Sequence, residues 1–149
     1  MKISVFPAYG SLNSKPVFDA FIHNLKEKKE DFQINKYDHT TDVAVIWSVL
    51  WQGRMRNNLQ IWKEFQALKK PIVVLEVGGI KRNFTWKIGI NGVNRDADFA
   101  TKPHFDSRWK KFNIDLKPWK RRGDNIIICG QHDSSEQWRD LPKMNNWLL

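Results

Sequence analysis

The chain has 149 residues, which is long enough to bury a core within one domain without disulfide support. Its 41% share of hydrophobic residues, with eight Trp and nine Phe, excludes a disordered chain. The net charge of +9 indicates affinity for a polyanion but does not identify which one. The single cysteine, Cys129, lies in an apolar run, so we expect a buried thiol in a reducing compartment.

Targeting signals are not recognisable in the sequence. No stretch approaches the roughly 20 apolar residues of a transmembrane helix. The N-terminal segment 1–6 is too short for a signal sequence and is typical of a strand. We therefore expect a cytoplasmic protein without a membrane span.

Strands and helices alternate along the first half of the chain. The continuous apolar runs 43–47 and 72–75 are typical of strands buried on both faces, whereas 32–37 alternates between apolar and polar residues, as an edge strand does. Ser14 is the predicted N-cap of the first helix, and Pro16 lies in its first turn. The predicted strands are residues 2–6, 32–37, 43–47 and 72–75. The first predicted helix runs from its N-cap at residue 14 to about residue 29, and the second from about residue 57 to residue 70. This β-α-β-β-α-β order, with right-handed crossovers, predicts an α/β fold: a Rossmann-like three-layer sandwich with a mostly parallel sheet.

The sequence between residues 84 and 124 is less regular. Residues 84–90 predict a short strand or a hairpin, and Asn91 with Gly92 predicts a turn. Residues 96–124 are basic and aromatic with weak periodicity. They predict a long excursion with at most one short helix, at 106–112.

Another apolar strand is predicted at residues 125–129, and the beginning of a helix at 138–149. We expect this strand to lie in the same sheet as the other apolar strands and parallel to them. Residues 1–149 are thus predicted to form a single Rossmann-like domain. Because the chain ends on an apolar helix start, the alternative is that it is the N-terminal part of a longer, two-domain protein.

Glycines and polar residues follow several of the predicted strands, and loops at the carboxyl ends of strands are where ligands bind in open α/β sheets. Gly78 and Gly79, followed by Lys81, predict an anion site, although a tight turn with solvated charges explains them as well. Arg54 follows Gly53 at the head of a helix, where a guanidinium and free backbone N–H groups suit a phosphate or carboxylate. The candidate ligand-binding residues are Gly10, Ser11, Gly53, Arg54, Gly78, Gly79, Lys81, Trp86, Lys87 and Gln131. We expect those that follow strands to line one edge of the sheet.

Candidates for other roles are few. Trp86 and Lys87 are a candidate stacking and charge pair for a sugar or base, with Trp86 as a core residue as the alternative. For acid–base catalysis the candidates are Glu76, at the end of an apolar strand, and His132, in a loop after a strand. In the alternative interpretation Glu76 pairs with a nearby Arg or Lys, and His132 is a capping or solvent-facing residue. The histidines lack metal-ligand spacing, and neither a Walker loop nor a dinucleotide fingerprint is present, so we expect no metal and no cofactor.

Three segments resemble a known group of proteins: residues 43–54 (VAVIWSVLWQGR), 71–96 and 126–138 (IIICGQHDSSEQW). They are similar to the N-terminal half of phage-encoded and metagenomic proteins related to capsular-polysaccharide-type glycosyltransferases of the GT-B architecture. In those proteins two Rossmann-like halves face each other across a cleft, and the nucleotide-sugar binds mainly to the C-terminal half.

The resemblance implies an acceptor-side domain that transfers, or helps to transfer, a sugar from a nucleotide-sugar to an acceptor. Its partners would be the nucleotide-sugar or an anionic acceptor, and a second domain or a dimer partner would complete the enzyme. If the protein is phage-encoded, its location would be the cytoplasm of the host cell.

Two other functions remain open. The first is a small basic nucleic-acid-binding protein, in which aromatic and basic side chains form a platform for a single strand. That platform would consist of Trp109, Lys110, Lys111, Trp119, Lys120, Arg121 and Arg122. The second is a Rossmann-like domain without catalytic activity.

Overall fold

A computed structural model describes residues 1–98, 110–115, 117–118, 123–124, 128, 133 and 140–147. The chain forms two compact units, Met1–Ala100 and Thr101–Leu149. The strands are β1 (Lys2–Val5), β2 (Asp31–Ile34), β3 (Val43–Trp47), β4 (Ile72–Val77) and β5 (Trp86–Ile90). The longer helices are α1 (Lys15–Glu27) and α2 (Arg56–Ala67), and a short helix, α3 (Met144–Trp147), lies in the second unit. None of the helices in the described part of the chain has the length and apolar character that a membrane crossing requires.

The first unit contains a five-stranded sheet in the order β2-β1-β3-β4-β5. The first four strands are parallel, and β5 runs antiparallel to β4. The predicted α/β class and the predicted β-α-β-β-α-β order are therefore confirmed, as is the parallel arrangement of the strands at 2–6, 43–47 and 72–75. Most of the strand predicted at 125–129 lies outside the described residues.

The two longer helices cover opposite faces of this sheet. Side chains alternate along β3, so that Val43, Val45 and Trp47 pack with α1, whereas Ala44 and Ile46 pack with α2. Every residue of β3 is buried. This double burial explains the unbroken apolar run in the sequence, because neither face of the strand meets water.

Each of the longer helices is followed, two residues after its last residue, by a lysine in the left-handed conformation, with φ of +53° at Lys29 and at Lys69. In α1 the N–H of Glu30 donates to the carbonyl of Leu25 at 3.0 Å, and the equivalent bond in α2 joins Lys70 and Phe65 at 2.9 Å. These are the long-range bonds of the Schellman motif, which usually places glycine at the left-handed position. The predicted helices extend two or three residues beyond the observed ends for this reason.

The predicted N-cap at Ser14 is wrong. Ser14 has helical dihedral angles, and its hydroxyl donates to the carbonyl of Ser11 at 2.7 Å instead of accepting from the helix. A short 3₁₀ turn, Leu12–Ser14, runs directly into α1, so the helix has no extended residue at its start. Pro16 does lie in the first turn, as predicted.

Within the ambiguous segment 84–90, residues Trp86–Ile90 form β5, which is the second arm of a hairpin with β4. The pairing continues beyond the strands, because the Gly78 N–H donates to the Thr85 carbonyl at 2.9 Å. Asn91 has a φ of +55° and begins the predicted reversal, after which Asp98 pairs back onto Ile90. The predicted turn is therefore confirmed.

Candidate ligand site at the carboxyl edge of the sheet

The sheet has its topological switch point between β1 and β3. From β1 the chain passes through α1 to β2 on one side, and from β3 it passes through α2 to β4 on the other side. In open α/β sheets, ligands typically bind beside the loops that follow the two strands at such a switch point. We call the region between residues 6–14 and 48–55 the switch-point crevice.

The two loops of the crevice lie against each other. The turn Pro7–Tyr9 contacts both the turn Gly53–Met55 and the beginning of α2. The side chain of Asn58, the third residue of α2, joins them. Its Nδ2 donates to the carbonyl of Trp47, the last residue of β3, at 2.8 Å and to the carbonyl of Tyr9 at 3.3 Å.

Asn58 is fully buried, yet its Oδ1 has no hydrogen-bond partner among the described residues. Leaving a buried acceptor unpaired costs about 1–3 kcal/mol, so such atoms are rare and usually have a reason. Sequence analysis missed this residue. The signal was its spacing, because Asn58 stands three residues before Ile61 and seven before Phe65, on the buried face of the helix.

Gly53 and Arg54 stand exposed at the mouth of the crevice. Gly53 has a φ of +53°, and open space surrounds the position that a Cβ would occupy. Arg54 follows in the 3₁₀ turn Gly53–Met55, immediately before α2. A guanidinium beside a helix N-terminus adds to the positive end of the helix dipole, and together they favour an anion.

Gly10 also lies in the crevice, but its absent side chain has a packing reason. A Cβ at this position would collide with the Ser14 hydroxyl and come within 3.2 Å of the Phe18 ring. Gly10 is buried, and its neighbour Ser11 is half-buried. The carbonyl of Ser11 accepts hydrogen bonds from both the N–H and the hydroxyl of Ser14.

The loop after β4 reaches the same edge of the sheet, since β4 is parallel to β1 and β3. Its two glycines differ. A Cβ on Gly78 would lie 2.5 Å from the Thr85 carbonyl oxygen, whereas a Cβ on Gly79 would meet nothing within 4 Å. Lys81 is exposed and has a φ of +46°. The structure therefore brings the predicted residues of three loops to one edge, although Gly78 itself is a packing residue.

Trp86 and Lys87 are not brought together. They are consecutive residues of β5 and so point to opposite faces of the sheet. Trp86 packs against the core on the α1 side, as its alternative interpretation predicted. Lys87 stands opposite Glu76 in the β4–β5 register, and its Nζ donates to Asn94 Oδ1 at 2.7 Å.

Glu76 is the catalytic candidate that lies within the described residues. It is half-buried near the carboxyl end of β4, and its Oε1 accepts a hydrogen bond from the Val77 N–H at 2.7 Å. Gln131 and His132 lie outside the described residues. The next residue, Asp133, belongs to the second unit, where its Oδ1 accepts from the N–H of Met144 at the start of α3.

A cavity of about 180 Å³ lies near the opposite, amino edge of the sheet, beside α2. The Tyr37 hydroxyl donates to Glu64 Oε2 at 2.5 Å in its wall. Burial, followed by the hydrogen bond to Glu64, raises the pKa of Tyr37 to about 12. The hydrogen bonds from Tyr37 and Gln60 lower the pKa of Glu64. The Lys70 Nζ donates to two backbone carbonyls there, so the polar groups of this wall largely satisfy one another.

Within the described ranges, no group of three or more His, Cys, Asp and Glu side chains is arranged to hold a metal ion. Comparisons of the chain with protein-family models and with curated proteins found no match. Function is therefore inferred from the fold and from the switch-point crevice.

Proposed function

We propose that the protein is the acceptor-side half of a GT-B-type glycosyltransferase. In this proposal the switch-point crevice holds an anionic acceptor that bears a hydroxyl group. A second domain or a partner subunit supplies the nucleotide-sugar. The observation that carries the proposal is the divergence of the chain connections between β1 and β3, with Arg54 exposed in the turn that follows β3.

The chemistry of the crevice mouth supports an anionic ligand. Arg54 is exposed and stands beside the N-terminus of a helix of 12 residues. The guanidinium offers paired N–H donors that match a phosphate, and the helix dipole favours the same negative charge. The net charge of +9 would draw such a ligand toward the protein.

The proposed reaction joins the acceptor oxygen to the anomeric carbon of the donor sugar. The bond between that carbon and the phosphate oxygen breaks, the nucleoside diphosphate leaves, and a base takes the hydroxyl proton of the acceptor. Glu76 is our candidate for this base, and the catalytic role of His132 stays a prediction from the sequence. Support for Glu76 is its position near the carboxyl end of β4, on the same edge of the sheet as the crevice.

Calorimetric titration with glycerol 3-phosphate tests the proposal, because this ligand carries both a phosphate and hydroxyl groups. Substitution Arg54→Ala should weaken binding about 10- to 150-fold, as expected for loss of a charged hydrogen bond. The matched control is Lys28→Ala, which removes one exposed positive charge at the C-terminus of α1, on the opposite edge of the sheet. Equal affinity in wild type and Arg54→Ala would remove Arg54 from the site, and no binding at all would refute the proposed ligand class.

A nucleic-acid-binding function is the second candidate. The observation that favours it is a run of exposed lysines in the second unit, at Lys110, Lys111 and Lys117, although Lys117 also pairs with Asp115 at 3.4 Å. If these lysines contact phosphates, affinity for a single-stranded oligonucleotide should fall with salt, with a log–log slope of about −0.7 for each contact.

Tryptophan substitutions separate true single-strand recognition from nonspecific charge attraction. We expect weak, strongly salt-dependent binding with little further loss in Trp109→Ala and Trp119→Ala. Stacking of bases on these rings would instead cost roughly 1–3 kcal/mol per base on substitution. A salt-resistant complex that collapses in either variant, without loss of folding, would place nucleic-acid binding first.

A further inference from the structure

We infer that Asn58 accepts a hydrogen bond from a hydroxyl group of the bound ligand through its Oδ1 atom. This inference rests on the proposed function and makes it more specific. It identifies the ligand as a phosphate monoester of a polyhydroxyl compound, such as a sugar phosphate. The ligand's phosphate would meet Arg54, and one of its hydroxyls would meet Asn58.

The orientation of the Asn58 amide follows from its neighbours. The two described groups that bond the Asn58 amide, the carbonyls of Trp47 and Tyr9, can only accept hydrogen bonds. The amide nitrogen must therefore face them, and Oδ1 lies on the other side of the amide. Because Oδ1 can only accept, the group that completes this site must be a donor, which a phosphate oxygen without a proton is not.

The position of Asn58 places that donor in the switch-point crevice. Its two hydrogen bonds tie it to the end of β3 and to the loop after β1, so the side chain lies where the connections of the two strands diverge. Arg54 precedes it by four residues in the turn that leads into α2. Four residues correspond to about one helical turn, with a rise of about 5.4 Å, which is within the length of a small sugar phosphate.

Access to Oδ1 requires a local movement, because the atom is fully covered. The bond to Trp47 is short, at 2.8 Å, and holds the amide in place. The bond to Tyr9 is longer, at 3.3 Å, and is the weaker of the two. A local movement that breaks this weaker bond would leave the amide anchored to Trp47, so that Oδ1 keeps its orientation when the ligand hydroxyl enters.

The experiment compares two phosphate monoesters of equal carbon number, glycerol 3-phosphate and n-propyl phosphate, by calorimetry on the full chain. Only the first carries hydroxyl groups. We expect the wild type to prefer glycerol 3-phosphate by about three- to tenfold, the contribution of one hydrogen bond. Asn58→Ala should abolish this preference. Asn58→Asp loses the donor that faces the two carbonyls, so its side chain is no longer held in place and the preference should be lost there as well.

The control for a structural role is Thr41→Val. Thr41 is another fully buried polar residue, and its hydroxyl lies 3.1 Å from the Ser4 hydroxyl, away from the crevice. This variant should lose stability but keep the wild-type preference between the two ligands. Equal losses for both ligands in Asn58→Ala, with an unchanged ratio, would show that Asn58 only holds the loops and would overturn the inference. That result would leave the Arg54-dependent phosphate site standing, whereas failure of both ligands to bind would overturn the inference together with the proposed function.

Discussion

Gly78 and Gly79, which follow β4, differ in how closely other atoms surround them. Alanine substitutions at the two positions therefore form a matched pair that tests the packing at this edge of the sheet. A Cβ on Gly78 would lie 2.5 Å from the Thr85 carbonyl oxygen, well inside van der Waals contact. The same carbonyl accepts the Gly78 N–H at 2.9 Å, so relief of the clash would stretch that hydrogen bond. One residue further on, a Cβ on Gly79 would meet open space.

Three contributions determine how much Gly78→Ala lowers the free energy of unfolding. Overpacking against a backbone atom that cannot rotate away costs about 1–3 kcal/mol. Loss of the hydrogen bond adds about 0.5–1.5 kcal/mol. The reduced freedom of the unfolded chain returns about 0.4–1 kcal/mol. We therefore expect Gly78→Ala to lower the free energy of unfolding by about 2 kcal/mol, and Gly79→Ala to change it by less than about 0.5 kcal/mol.

Urea unfolding followed by far-UV circular dichroism measures both variants. With an m-value of about 2 kcal/mol/M, the midpoint for Gly78→Ala should fall by about 1 M, while that for Gly79→Ala should stay near the wild type. Equal losses in the two variants, or no loss in Gly78→Ala, would refute the assignment of Gly78 to packing against Thr85.

Two further predictions concern the helix ends and the amino-edge cavity. Substitution of glycine for Lys29 or Lys69, both at a φ of +53°, should each raise the free energy of unfolding by about 1 kcal/mol, because glycine lacks the left-handed penalty. Lys28→Gly, at a φ of −83°, should instead destabilise, and stabilisation there would contradict the reasoning. The phenol of Tyr37 should ionise near pH 12 in an ultraviolet titration, against 10.0 when unperturbed. Since the unfolded chain loses this proton first, the contribution of Tyr37 to stability should be complete below pH 10 and vanish between about pH 10 and 12. Tyr37→Phe should remove that decline, and an unchanged decline would assign it to another group.

The sheet was predictable because its sequence signals are local. The unbroken apolar runs at 43–47 and 72–75 required strands covered on both sides, and the observed layers of α1 and α2 supply that cover. The edge strand was also recognised from alternation, but β2 ends at Ile34, three residues before the predicted end. Asn35 terminates it with a φ of +54°, a conformation that its sequence context does not specify.

The details of the candidate edge were less predictable because they depend on tertiary contacts. The shared direction of β1, β3 and β4 predicts that their loops meet at one edge, and they do. That Gly10 and Gly78 are packing residues follows only from their contacts with Ser14 and Thr85, which no local pattern reveals. Asn58 carried a readable signal, a polar residue on an otherwise buried helical face, but its hydrogen bonds to two loops became visible only in the folded chain.

The central claim is that the switch-point crevice binds a phosphate-bearing ligand. The most direct test is a titration of ¹⁵N-labelled protein with glycerol 3-phosphate, followed by ¹H–¹⁵N correlation spectra. We expect saturable shifts concentrated in the backbone amides of residues 9–14 and 48–58, with residues 37–41 beside the amino-edge cavity unchanged. Shifts confined to residues 110–118, or to the amino-edge cavity, would contradict the claim and place the ligand elsewhere on the chain.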